Sequence, residues 1–148
     1  MRKFLFLSLF VFSVEAAERV WDFHAAIQVA ADGTLSVTER IVVQAEGKEI
    51  RRGILRDIPT EFRDRLGNKV RSPIEVWRVT RNGEPESFHV EPLANGIRIR
   101  IGRAEVLLRP GNHTYEIHYR TARVVGFFKE HDELYWNVNG NGWVFSFD

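Results

Sequence analysis

The 148-residue chain has no cysteine, so no disulfide holds it together and a closed structural zinc site built on thiolates is not expected. It has one long apolar run, at the N-terminus, and no later segment approaches the roughly 20 residues a spanning helix needs. Net charge is missing as well. The 21 Lys+Arg face 20 Asp+Glu, and setting aside Arg2, Lys3 and Glu15 leaves 19 of each. A nucleic-acid binder needs a net positive footprint, so nucleic acid is not an expected partner. There is also no Gly-x-Ser-x-Gly elbow, no Gly-rich phosphate loop and no histidine pair at zinc spacing. His113 and His118 are five apart, which puts them on opposite faces of a strand. No enzyme signature, metal or cofactor is expected.

What is present begins with a leader. Arg2 and Lys3 precede an apolar run from Phe4 to Val14, and Val14-Glu15-Ala16 offers small residues at −3 and −1. That is the layout of a secretory signal peptide cleaved after Ala16. Residues 17–148 then form one domain, of a length that buries an adequate core without disulfides. The expected location is extracytoplasmic, in the periplasm or at the cell surface.

After the leader the dominant period is two. Trp21, Phe23, Ala25, Ile27 and Val29 share one face, against Asp22, His24 and Gln28. Beyond Asp32-Gly33, Leu35, Val37, Ile41 and Val43 continue it, which reads as a hairpin. Further runs cover 74–80, 87–90, 97–101, 106–108, 115–119, 124–128, 134–138 and 143–147, with turn signals at Asn82-Gly83, Asn95-Gly96 and Pro110-Gly111. The expectation is an all-β chain: an antiparallel, immunoglobulin-like β-sandwich of about nine strands after a signal-peptide helix. The connection from Gln44 to Ser72 reads as a long charged loop.

Two segments combine apolar anchors with charge. In Gly126 to Trp143 (GFFKEHDELYWNVNGNGW), aromatics crowd around His131-Asp132-Glu133. Three adjacent side chains rarely converge, so a polar turn is the plainer reading of this cluster than an acid/base or metal site. In Arg51 to Thr60 (RRGILRDIPT), Pro59 favours extended backbone at Ile58 while Ile54, Leu55 and Ile58 offer anchors. Basic residues outnumber acidic ones seven to three between Arg51 and Arg71. Contact with anionic headgroups or a partner's acidic face is the functional alternative to a salt-bridged loop.

Together the two segments resemble the hallmarks of bacterial predicted membrane proteins known as domain of unknown function 2207. Gly53, Ile54, Arg56, Asp57, Ile58 and Pro59 match the first, and Asp132, Glu133, Leu134, Tyr135, Trp136 and Asn137 the second. The resemblance implies an N-terminal extracytoplasmic portion, followed in the parent protein by transmembrane helices that anchor it. It implies no activity. The expected function is a non-catalytic module with a protein or cell-envelope partner. An extracytoplasmic hydrolase of envelope carbohydrate or peptide, using His131, Asp132 and Glu133, is the alternative. Arg52, Arg56, Asp57, Asp132, Glu133, Tyr135, Trp136 and Asn137 are the residues of interest. The two segments are expected to form a structural clasp, Arg56 or Arg52 bonding Asp132 or Glu133.

Overall fold

A computed structural model describes residues 18–63 and 67–134. The leader, Tyr135, Trp136, Asn137 and the runs expected after Leu134 lie outside the described residues. Within them every regular element is a β-strand: β1 Arg19–Val29, β2 Leu35–Ala45, β3 Gly53–Pro59, β4 Glu61–Arg63, β5 Lys69–Arg71, β6 Ile74–Arg81, β7 Glu84–Pro85, β8 Phe88–Leu93, β9 Gly96–Gly102, β10 Gly111–Thr121, β11 Val125–Phe127 and β12 Asp132–Leu134. All pairings are antiparallel. One sheet runs β1-β2-β10-β6-β7, a second β3-β9-β8, and β4-β5 and β11-β12 are separate pairs.

Alternation explains the two central strands. On β2 the buried positions are Leu35, Val37, Glu39, Ile41, Val43 and Ala45, and on β10 His113, Tyr115, Ile117, Tyr119 and Thr121. The smaller sheet turns Ile54, Arg56 and Ile58 of β3 inward beside Ile101, Ile99 and Ile97 of β9. Residues of both sheets share one buried cluster. Glycine and asparagine make the turns: Asn82 and Gly83 both take positive φ, as the tight hairpin between β6 and β7 requires.

The all-β antiparallel class expected from the sequence is what the structure has. Among the seven described strands of six residues or more, the last, β10, lies between β2 and β6 and not beside the sixth, β9, which is the neighbour an immunoglobulin domain gives it. Three local expectations are also corrected. The Gln44–Ser72 connection contains β3, a core strand, and the short β4–β5 pair. The 106–108 run forms no strand; Leu108 is held instead by one backbone bond to Arg51 O at 2.8 Å. Trp21 does not share the inward face of Phe23. The register shifts between Val20 and Asp22, so Val20 is buried and Trp21 is turned out, 44% exposed. Trp77 on β6 is turned out at a second register shift.

One core group is poorly served. The Tyr115 hydroxyl is buried with no hydrogen-bond partner among the described residues, and burial pushes its phenol well above the usual value. An unmet buried hydroxyl costs about 1–3 kcal/mol. Tyr115→Phe is therefore expected to hold or raise stability by about 1 kcal/mol in urea melts. A loss of that size would show that the hydroxyl is satisfied in solution.

Candidate functional site

Charge enters the core at two inward positions that face each other. Glu39 on β2 and Arg56 on β3 are each 1% exposed. Arg56 donates Nε to Glu39 Oε2 at 2.7 Å and Nη2 to Glu39 Oε1 at 2.8 Å, the forked geometry of a strong pair. Tyr119 on β10 donates its hydroxyl to the same Oε1 at 2.7 Å. Arg56 Nη1 reaches Asp57 O at 3.0 Å, and the guanidinium lies 5.3 Å from the Phe23 ring centre. These bonds tie the two sheets together through one buried carboxylate.

The expected clasp is therefore built with a different acid. Arg56 is held by Glu39, whereas Asp132 is exposed on β12. Arg52 gives its Nε to Ala104 O at 2.6 Å. Asp57 points away from Arg56, to the outer side, where Arg98 grips both its oxygens at 2.7 and 2.8 Å. His131 Nε2 meets Glu133 Oε1 at 2.9 Å while Phe128 stacks on the imidazole. Alternation along β12 sends Asp132 and Glu133 to opposite faces, so these two carboxylates do not form a pair across one substrate bond.

The structure brings other cations together. Where β3 and β9 begin and end, a groove of about 350 Å³ is lined by residues 49, 51–55 and 100–104. Four arginines (Arg51, Arg52, Arg100, Arg103) and one acid, Glu49, contribute. Its floor depends on glycine: a Cβ on Gly53 would sit 1.7 Å from Ile101 O, and one on Gly102 2.0 Å from Arg52 O. The strands can close this tightly only with no side chain there. Arg100 is engaged by Glu91, whose carboxyl it holds below the usual range, chiefly by hydrogen bonding. Arg103 lies 3.6 Å from Glu86, a carboxylate that Arg81 already holds at 2.6 Å. Arg51 has no side-chain partner among the described residues, and Arg52 spends its Nε on a carbonyl.

Beside the groove lies a second carboxylate that sequence reasoning passed over. Glu18 accepts from the backbone N–H groups of Glu46 and Lys48 on Oε1 (2.9 and 3.0 Å) and of Glu49 and Ile50 on Oε2 (2.6 and 3.0 Å). Burial works to raise its pKa, but the four donors together outweigh burial and hold it below the usual range.

Comparison with known proteins follows the same lines. The model of the family described as predicted membrane protein (DUF2207), N-terminal domain, matches residues 19–148. A similar protein is the Escherichia coli (strain K12) "Uncharacterized protein YciQ", 33% identical over 135 residues, 90% of this chain. The chain spans 21% of that relative's length. No solved structure matches.

Proposed function

The chain belongs to the DUF2207 family of predicted membrane proteins, as an N-terminal domain of that kind, and we propose that it is an extracytoplasmic, non-catalytic interaction module of a membrane-anchored protein. The observation that supports this reading is a sequence with the layout of a secretory leader over residues 1–16, followed by a family match opening at residue 19. The Arg-lined groove supplies a surface for an anionic partner in the envelope, and the Glu39–Arg56 pair serves the interior. Fusing alkaline phosphatase, active only outside the cytoplasm, behind residue 148 tests the location. Active fusion and a mature N-terminus at Ala17 are expected. An inactive fusion that keeps Met1 would overturn the reading.

A further inference from the structure

We propose that the groove at the end of the β3–β9 ladder binds a phosphate group, carried by an anionic lipid headgroup or by a soluble phosphate ester. This deepens the interaction-module reading and rests on it for the source of the ligand.

Three observations converge. The first is a pair of arginines without carboxylate partners. The groove lining holds four arginines against one glutamate, but Glu91 engages Arg100, and Glu86, shared with Arg81, lies 3.6 Å from Arg103. Arg40 and Arg98 are likewise neutralised in place, by Asp22 and Asp57. Arg51 has no side-chain partner among the described residues, and Arg52 meets only a carbonyl. Adjacent planar forks of this kind match the tetrahedral oxygens of a phosphate, which accepts from two guanidinium groups at once.

The second observation is that the site is formed rather than loose. Leu108 N bonds Arg51 O at 2.8 Å, and Arg52 Nε bonds Ala104 O at 2.6 Å. The backbone of Arg51 and the side chain of Arg52 are thus fixed to the segment that follows β9, and the glycine pair keeps the strands in contact beneath them. A preformed site loses less conformational freedom on binding. The volume, about 350 Å³, suits a headgroup-sized ligand.

The third is the apolar border. Leu55, turned to the outer side of β3, is 44% exposed beside the arginines. An apolar side chain next to paired cations suits a phosphodiester joined to a hydrophobic glycerol ester better than it suits a strongly hydrated carboxylate. Membership of a predicted membrane-protein family supplies a bilayer as one source of such groups.

The test uses the chain as recovered after processing by the cell. Sedimentation with phosphatidylglycerol vesicles, phosphatidylcholine vesicles as the neutral reference, and competition by glycerol phosphate are measured for wild type, Arg51→Gln, Arg51→Gln/Arg52→Gln and Arg78→Gln. Arg78, exposed on β6 of the other sheet, removes one charge elsewhere. Selective binding to phosphatidylglycerol is expected, weakened about fivefold by the single groove substitution and about 25-fold by the double one, at about 1 kcal/mol per basic residue. Arg78→Gln should leave it nearly unchanged. Competition by millimolar glycerol phosphate assigns the site to soluble esters; binding to vesicles without competition assigns it to lipid. Equal binding by the double variant, equal weakening by Arg78→Gln, or binding of neither probe overturns the proposal. Arg51→Gln breaks no side-chain bond seen here, so a misfolded double variant leaves the single one decisive. None of these outcomes depends on the phosphatase fusion, so failure of the groove and failure of the location are read separately.

Discussion

Arg56→Ala is expected to cost about 3–5 kcal/mol, because it strands the buried Glu39 carboxylate in the core. Against a usual total of about 5–15 kcal/mol, that is a large share of the domain's stability. The geometry is the reason for the size. Both partners are 1% exposed, and Arg56 supplies two of the side-chain bonds that Glu39 receives. Tyr119→Phe removes the other one, at Oε1, and should cost about 1.5–3 kcal/mol, the range for a hydrogen bond to a charged group. Denaturant melts of Arg56→Ala, Glu39→Ala and the double variant should show a double loss far below the sum of the singles. The pairing of Arg56→Met with Glu39→Leu should recover most of the stability, since a buried ion pair exchanged for well-packed apolar groups is often neutral or better. Strictly additive losses would mean that solvent reaches both charges and that the pair does not join the sheets energetically.

The same pair shows where the sequence was legible and where it was not. Period-two alternation identifies β2 and β10 because nearly every inward residue is apolar. At Glu39 it breaks, and the odd positions Leu35, Val37, Ile41 and Val43 on either side were the available signal that a charge had been turned inward. Arg56 hid a whole strand in the same way: Ile54, Arg56 and Ile58 alternate inward, but an arginine in the middle makes the segment look like a charged loop. Two opposite charges at inward parity are each other's natural partners, so Glu39 was findable. A periodicity argument that discards charged positions cannot find it. Trp21 was misplaced for another reason. A register shift moves one residue out of phase, and nothing in the composition around Val20 and Asp22 announces it. The groove was beyond local reading altogether. Arg51 and Arg52 meet Arg100 and Arg103 only because Gly53 pairs with Gly102, about 50 positions along the chain, and that pairing is set by the register of the whole β3–β9 ladder.

Acid should loosen the start of the domain before it melts the core, through Glu18. Its carboxylate closes the 46–50 loop by taking four backbone N–H groups, and with its pKa held below the ordinary 4.5 it favours the folded state while ionised. The contribution is thus fully present above about pH 4.5 and is lost as pH falls through the lower folded-state pKa. Glu18→Ala should cost about 2 kcal/mol near neutrality. Hydrogen bonds to a charged group are worth about 1.5–3 kcal/mol each, but the half-exposed site lets water replace much of that, so the sum of four is not expected. Glu18→Gln keeps one carbonyl acceptor and should fall between wild type and alanine. The decisive measurement is the difference in stability between wild type and Glu18→Ala across pH 7 to 3. It should shrink as the carboxylate protonates, and amide exchange of Glu46, Lys48, Glu49 and Ile50 should quicken in the same range. A difference that stays constant with pH would show that the side chain acts by packing alone. Faster exchange at these four amides without any change in the unfolding midpoint would confine the role of Glu18 to holding the loop at the edge of the groove, where Glu49 is part of the lining.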